Sequence, residues 1–151
     1  MSDPGIKTVV TNRRARHEYH LEKPVEAGMA LLGSEVKSLR AGKANLQDAF
    51  VSVDAEGAVL RNLHIAPYEM GGYANHEPTR PRRLLLHRRE IEALRKGIEQ
   101  QGYTVVPLRL YFKHGRAKVE IALAKGKKLY DKRHDIAARD EQRRLDRLVR
   151  R

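Results

Sequence analysis

The sequence predicts a mainly β protein, a small antiparallel barrel with short helices packed on it and a basic C-terminal tail. Short segments in which apolar and polar residues alternate recur between turn residues, as expected for half-buried strands. One longer helical pattern stands before the strongest hairpin. Cations are concentrated at the C-terminal end, where the last 27 residues hold eleven Lys and Arg against five Asp and Glu. Half of the net charge therefore lies in the tail.

Length and charge bound the possible functions. The 151 residues allow one core, which we place in a barrel domain at 1–124 followed by a tail at 125–151. A formal net charge of +12 predicts a polyanionic partner, because surface cations displace counterions from phosphate. No apolar run reaches the length of a spanning helix, so no membrane partner is expected. Without cysteine or a signal-peptide pattern, we expect a cytoplasmic protein without cofactor or metal.

The first elements are two strands and a short helix. Alternation at 15–22 predicts a half-buried strand that ends before Pro24, and Gly28 permits a turn into a more buried strand at 29–32. Residues 34–40 predict one or two helical turns, with Ser34 as the N-terminal cap and Gly42 after the last turn. Lys37 and Arg40 remain on the outside of this helix.

A hairpin and a long loop follow. Residues 49–53 and 58–65 flank an acidic turn that contains Gly57, which predicts two paired strands. The segment 68–83 is too long for an ordinary connection. It combines stacking and cationic side chains of the kind that irregular RNA requires, namely Tyr68, Tyr73, Arg80, Arg82 and Arg83. The alternative is a solvated loop with incidental tyrosines.

The main helix and the strongest hairpin complete the domain. Residues 87–101 predict a helix that ends at Gly102, with a bend or a split at Gly97. Residues 103–113 and 117–123 predict paired strands, in which the even positions of the first strand, including Val106, Leu108, Leu110 and Phe112, share the apolar face. Pro107 on the outward side predicts an edge or a bulge. The outward face presents a basic strip with one aromatic ring, formed by Arg109, Tyr111, Lys113 and Lys118.

Six strands, or seven with residues 7–11, short turns and one long helix before the last hairpin favour an oligonucleotide-binding type of barrel. This architecture tolerates a helix between its strands and binds ligands on a strand face and its loops. An α+β sandwich, as in some ribosomal proteins, fits the same string of elements less well.

Candidate catalytic residues do not form a site. On the predicted strand His17 and His20 point to opposite faces and could not share a metal, and the remaining histidines are scattered at positions 64, 76, 87, 114 and 134. The segment 41–44 lacks the first glycine and the Ser or Thr of a phosphate-binding loop. We therefore expect a binding protein rather than an enzyme, with a nuclease that uses His17 or His20 as the rival.

Five separated motifs closely resemble the bacterial SsrA-binding protein family, also called small protein B. They occur in the same order and at the same spacings as in that family. The motifs are Asn12-Arg13-Arg14-Ala15-Arg16-His17-Glu18-Tyr19, Glu26-Ala27-Gly28, Glu35-Val36-Lys37-Ser38-Leu39-Arg40-Ala41-Gly42-Lys43, Leu84-Leu85-Leu86-His87, and Gly126-Lys127-Lys128 followed by Asp131-Lys132-Arg133.

The resemblance implies ribosome rescue. It implies a barrel that binds the tRNA-like domain of transfer-messenger RNA (tmRNA, or SsrA RNA) and delivers it to the A site of stalled ribosomes. It further implies that elongation factor Tu and alanyl-tRNA synthetase act on the same RNA. The tail would enter the messenger channel of the small subunit, near the decoding centre, when that channel is empty. The main alternative is a structural ribosomal or ribosome-assembly protein, with the tail threading rRNA.

The resemblance also implies site residues. It assigns RNA contacts to Glu26, Leu84 and Lys118, of which the strand pattern also selects Lys118. For Leu84 the other reading is burial in the core. With the cations and aromatics described above, the predicted RNA-binding set is Asn12, Arg13, Glu26, Lys37, Arg40, Tyr73, Arg82, Arg83, Leu84, Arg109, Tyr111 and Lys118.

The tail is implied to act on the ribosome rather than in RNA binding. Its predicted functional residues are Lys127, Lys128, Tyr130, Asp131, Lys132 and Arg133. From about residue 135 the tail has only a narrow apolar stripe and acid-to-base pairs four residues apart. Because an isolated helix of this length is marginal in water, we expect the tail to be disordered alone and helical when bound.

Overall fold

The computed structural model describes residues 5–69 and 75–126. Its elements in chain order are β1 (Ile6–Thr11), α1 (Arg13–Glu18), β2 (Tyr19–Leu21), β3 (Val25–Met29), α2 (Gly33–Arg40), β4 (Ala44–Asn45), β5 (Phe50–Val53), β6 (Ala58–Arg61), β7 (His64–Ile65), β8 (Arg82–Leu85), α3 (Arg88–Gln101), β9 (Thr104–Lys113) and β10 (Arg116–Gly126).

Six antiparallel strands close into a barrel. Their order is β9, β5, β6, β8, β3 and β10, and a further pairing between β10 and β9 closes the ring. Closure removes the unpaired strand edges that an open sheet would expose. The small antiparallel barrel with a few helices confirms the predicted fold class, and β1 is the additional strand that the sequence suggested at 7–11.

The two longest strands each pair with two partners along one edge. The first part of β9 pairs with β5 and the rest with β1, whereas β10 pairs with β3 and then with β2. In the last of these pairings Lys125 and Gly126 lie opposite His20 and Tyr19, so the strand extends past the predicted boundary at residue 124. Closing a barrel requires a staggered register, so a long strand can pair with two shorter strands along one edge.

A bulge in β9 changes which residues face the core. The register passes from Arg109 opposite Glu120 directly to Pro107 opposite Ile121, so Leu108 is the extra residue. The predicted bulge is confirmed, but Pro107 is buried rather than outward. Because an extra residue reverses the alternation, the predicted common face is wrong. Leu110 and Phe112 join the main core, whereas Val106 and Leu108 lie in a second cluster.

The second cluster is covered by α1, where the sequence predicts a strand. The side-chain oxygen of Asn12 accepts a hydrogen bond from the Ala15 N–H at 3.3 Å and so caps the helix. The Asn12 amide donates to the Pro107 carbonyl at 3.0 Å, which ties the cap to β9. Ala15 is buried beside Ala122 and Ala124. The strand prediction is therefore correct only for β2. Before it, the hydrogen bonds of Asn12 to Ala15 and to Pro107 stabilise a helix in spite of the alternating sequence pattern.

Three other local predictions need correction. Gly28 is not in a turn but inside β3, which begins earlier than the predicted second strand. Ser34 does not cap α2; the helix begins after Leu32, whose N–H donates to the Glu35 carboxylate at 2.7 Å. Helix α3 is unbroken at Gly97, where a Cβ would lie 2.6 Å from Leu123 Cδ1. This glycine allows close approach of helix and strand rather than a bend.

A buried ion cluster lies between α2 and the core-facing side of β8. Glu35 is fully buried and accepts hydrogen bonds from Arg82 Nε at 2.5 Å and Arg80 at 2.6 Å. Arg82 also donates to the carbonyls of Leu63 and Pro78. Burial by itself raises the pKa of Glu35, but the hydrogen bonds from Arg80, the Leu32 N–H and Arg82 outweigh it and hold this pKa below its usual range. The cluster joins α2 to β8.

Arg82 therefore has a structural position that the sequence did not predict. Its side chain is inaccessible to solvent, and the residue lies in strand β8 rather than in the predicted loop. The predicted residues Tyr73, Lys127, Lys128, Tyr130, Asp131, Lys132 and Arg133, and the predicted tail helix, lie outside the described residues. Within residues 5–69 and 75–126, no helix has the length and apolar character needed to cross a membrane.

Candidate nucleic-acid interface

A continuous row of residues crosses the outer face of four neighbouring strands. Leu85 of β8 lies opposite Gly28 of β3, Gly28 lies opposite Lys118 of β10, and Lys118 lies opposite Tyr111 of β9. Directly opposite residues in antiparallel strands have their Cβ positions about 4.5–5.5 Å apart. The hydrogen-bonded register therefore brings an apolar side chain and a cation to one side of the sheet, next to the buried ring of Tyr111.

Glu26 lies beside this row on β3. Tyr111 donates its hydroxyl to Glu26 Oε2 at 2.5 Å, and Lys113 Nζ lies 3.4 Å from the same oxygen. The bond from Tyr111, helped by the positive charges of Lys113 and Lys118, holds the pKa of Glu26 below its usual range. Burial and the bond to Glu26 raise the pKa of Tyr111. At neutral pH the pair is thus an ionised carboxylate and a neutral phenol.

The predicted basic strip is assembled on this surface, but most of its charge is neutralised. Arg109 contacts Glu120 at 3.5 Å and stacks over the Tyr111 ring at 4.4 Å, while Lys113 pairs with Glu26. Lys118 forms no ion pair with any residue in the described part of the chain. Lys118 is therefore the cation of the strip that is available to a phosphate.

An open groove of about 620 Å³ contains the residues that family resemblance assigns to RNA binding. Its cations and histidine can meet phosphates, its leucines can contact riboses or bases, and its carboxylates can accept hydrogen bonds from ribose or base donors. The residues that line it are Glu26, Gly28, Glu56, Gly57, Arg83, Leu84, Leu85, Leu86, His87, Glu90, Ile91 and Lys118. Glu26, Leu84 and Lys118 come from three different strands, and the fold brings them together.

The two leucines of β8 in this groove differ in accessibility. Leu84 is 3% exposed and belongs to the main core, whereas Leu85 is 58% exposed. Alternate residues of a strand point to opposite faces, so only one of two consecutive leucines can project outward. The structure therefore supports core burial for Leu84 and shows Leu85 as the exposed leucine of this strand in the groove.

Gly28 keeps the centre of the row flat. A Cβ on this residue would lie 3.3 Å from Leu85 Cβ and 3.4 Å from Leu85 Cδ1. The first of these distances is tighter than nine in ten real Cβ contacts, so Leu85 would have to move by a few tenths of an ångström to admit a larger residue. The glycine allows the Leu85 side chain to lie across β3 beside Lys118.

Other predicted RNA-binding residues lie outside the groove. Lys37 stands over the Tyr68 ring at 5.4 Å and Arg40 over the Phe112 ring at 4.9 Å. Arg13 is exposed on α1, and Asn12 is committed to capping that helix. Of the cations predicted from the loop, Arg83 lines the groove. Sequence reasoning missed Leu85 and Gly28, which the pairing of β8 with β3 would have identified.

The two histidines predicted to lie on one strand belong to two different elements. His17 lies in α1 and His20 in β2, so they are not opposite faces of one strand. Across the two described ranges, no group of three or more His, Asp and Glu is arranged to hold a metal ion. His87 lines the groove just before α3, where its N–H donates to Glu90 at 2.9 Å.

Comparison with known proteins gives a consistent set of relatives. The chain is 58% identical to the SsrA-binding protein of Desulforamulus reducens over 150 residues, which cover 99% of this chain and 93% of the relative. It is 56% identical to the SsrA-binding protein of Thermobifida fusca over 147 residues, with coverage of 97% and 92%.

A solved structure and a family model agree with these relatives. A chain from the structure described as "tmRNA-SmpB: a journey to the center of the bacterial ribosome" superposes with a TM-score of 0.66 at 51% identity. The match covers 78% of the present chain and 83% of that one. The family model for SmpB protein matches residues 9–151. Groove, barrel and sequence therefore lead to one assignment: the chain belongs to the SmpB protein family.

Proposed function

We propose that this chain binds the tRNA-like domain of SsrA RNA and delivers it to the A site of stalled ribosomes in trans-translation. The observation that carries the proposal is the groove in which Glu26, Leu85 and Lys118 meet on the outer wall of an SmpB-family barrel. Relatives named SsrA-binding protein, and a structural neighbour described with tmRNA and the ribosome, support this choice of RNA.

Each group in the groove has a separate role. Lys118 meets a backbone phosphate, because it lacks a described carboxylate partner. Glu26 accepts a hydrogen bond from a ribose hydroxyl or a base amino group, because an ionised carboxylate repels phosphate. Leu85 supplies an exposed apolar surface for a ribose or base. The protein makes and breaks no bond; elongation factor Tu and alanyl-tRNA synthetase act on the same RNA.

The residues after the barrel act at a later step. Basic residues beyond Gly126 enter the messenger channel when it holds no mRNA, where rRNA phosphates attract them. An intact message would occupy the same space, which gives a steric reason for selecting stalled ribosomes. The residues assigned to this step are Lys127, Lys128, Tyr130, Asp131, Lys132 and Arg133.

The identity of the RNA is tested by sequencing what copurifies with the full-length protein from its own cells. One dominant structured RNA with a tRNA-like acceptor end is expected. The matched control is the Lys118→Ala, Leu85→Ala double variant, which should recover much less of that RNA. Bulk rRNA in both preparations would contradict the proposal and favour a structural ribosomal protein.

The division between barrel and tail is tested by deleting residues 132–151. Binding of the tRNA-like domain, measured by fluorescence anisotropy, should be nearly unchanged, whereas tagging of stalled nascent chains in a reconstituted translation system should be lost. The Lys118→Ala, Leu85→Ala double variant should instead lose binding of the tRNA-like domain, and its tagging activity should fall as a consequence. Equal loss of binding and tagging in the deletion would contradict two separate roles.

A further inference from the structure

We infer that Tyr111 is a positioning residue that holds Glu26 so that one carboxylate oxygen, Oε1, faces a hydrogen-bond donor of the RNA. The inference rests on the proposed function of the groove. It replaces the direct RNA contact that the sequence pattern predicts for this tyrosine. The ligand class it specifies is a ribose 2′-hydroxyl or a base N–H group, rather than a phosphate.

The geometry at Glu26 leaves its two oxygens in different situations. Oε2 receives the Tyr111 hydroxyl at 2.5 Å and faces Lys113 Nζ at 3.4 Å. No residue in the described ranges donates a hydrogen bond to Oε1. The side chain is 36% exposed, so the free oxygen can be reached from the groove. Two donors on one oxygen fix the carboxylate plane and leave the other oxygen for a ligand.

Tyr111 is itself held in place and cannot readily stack on a base. The residue is 2% exposed, and the guanidinium of Arg109 lies 4.4 Å from its ring centroid. Arg109 is in turn bound to Glu120 at 3.5 Å. A ring with one face covered and little exposure offers no platform for stacking. Its hydroxyl, in contrast, is directed at Glu26.

The charges around Glu26 explain why the carboxylate needs such support. Glu26 lies directly opposite Glu120 in the pairing of β3 with β10, and like charges in that position repel. Lys113 and Arg109 each neutralise one member of the pair. Without the Tyr111 bond, Glu26 could turn toward Lys118, which would occupy both the acceptor and the cation that the RNA needs.

A double-mutant cycle tests the inference with full-length protein. The transcribed tRNA-like domain is bound to wild type, Tyr111→Phe, Glu26→Ala and the double variant, with affinity measured by anisotropy at constant salt. Tyr111→Phe should weaken binding about fivefold, as expected for one lost hydrogen bond, but should cause no further loss when Glu26 is already alanine. Lys113→Met should behave likewise with a smaller loss. Tyr103→Phe is the matched control outside the groove and should bind normally.

The outcomes separate this inference from the function it rests on. Equal losses from Tyr111→Phe in the presence and absence of Glu26 would show that the phenol contacts RNA itself and would overturn the inference. Normal binding by Tyr111→Phe, with Glu26→Ala weakened, would overturn the inference alone. Normal binding by Glu26→Ala would overturn the proposed groove as well. Thermal unfolding and the far-ultraviolet circular dichroism spectrum of each variant establish that the differences concern folded protein.

Discussion

The two faces of the barrel wall hold a carboxylate in opposite ways. On the inner face Glu35 is fully buried, and both of its oxygens accept hydrogen bonds from arginine side chains or backbone. On the outer face Glu26 is partly exposed, and only one oxygen is engaged by described residues. Adjacent residues of β8 show the same division, since Arg82 enters the inner cluster and Arg83 lines the groove. A carboxylate with hydrogen bonds to both oxygens stabilises the fold. A carboxylate with hydrogen bonds to only one oxygen can still accept a bond from a ligand.

The largest effect is expected when the inner carboxylate is removed. Glu35→Ala leaves Arg82 buried without its partner, and breaking a buried pair in this way costs about 3–5 kcal/mol of the free energy of unfolding. Urea denaturation measures the change. The control is Glu92→Ala, an exposed carboxylate on α3, which should change stability by less than about 0.5 kcal/mol. An equal loss of unfolding free energy in both variants would contradict a stabilising role of the buried Glu35 carboxylate.

The two leucines of β8 provide the next comparison. Leu84→Ala opens a cavity in the core and should cost about 2–5 kcal/mol of the free energy of unfolding. Leu85→Ala removes an exposed side chain, so stability should change little while affinity for the tRNA-like domain falls about tenfold, the size expected when most of the apolar area that a leucine buries is lost. Denaturation and anisotropy on both variants check the assignment. A binding defect confined to Leu84→Ala would reverse it.

A smaller effect is expected for Lys118, a groove cation that forms no ion pair among the described residues. Lys118→Gln should weaken RNA binding and reduce the slope of log affinity against log salt concentration by about 0.7–0.9, which corresponds to one phosphate contact. Lys96→Gln, on the exposed side of α3, is the control of equal charge change. The assignment fails if both variants, or neither, alter the slope.

The smallest expected effect concerns how the free energy of unfolding changes with pH in wild type and in variants of the two carboxylates. The folded pKa of Glu35 is lowered, so its contribution to stability is complete above its usual value of 4.5 and is lost as the pH falls through the folded value. Unfolding free energies measured from neutral pH to about pH 3 should therefore fall more steeply for wild type than for Glu35→Gln. Glu26→Gln should have a weaker effect on the same curve, because its carboxylate is partly exposed.

Local sequence patterns predicted the positions of strands and helices better than they predicted which side chains point into the core. The hairpin of β9 and β10, the helix α3 and its end at Gly102 follow from alternation, helical spacing and turn residues. Facing depends on register, and three consecutive leucines at 84–86 carry no alternation from which to read it. The pairing of Leu85 with Gly28 determines which leucine points outward, and this pairing joins residues that are distant in sequence.

The inner ion cluster could not be predicted for the same reason. Glu35 and Arg82 are separated by 47 residues, and each also fits an exposed position in its own segment. Their burial follows from the way α2 meets β8. The bulge at Leu108 similarly exchanges the two faces of β9 in mid-strand. The predicted roles of Tyr73 and of the residues beyond Gly126 stay predictions.

The length of strand β10 separates the parts of the molecule to which the two proposed activities are assigned. Lys118 near its start lies in the groove, and Gly126 at its end is the point from which the C-terminal residues continue. An antiparallel strand rises about 3.4 Å per residue, so the strand between the two points is roughly 27 Å long. Pairing with β9, β3 and β2 keeps this spacing constant. On the proposed function, a single stretch of backbone thus sets the distance between the RNA-binding groove and the first residue of the tail.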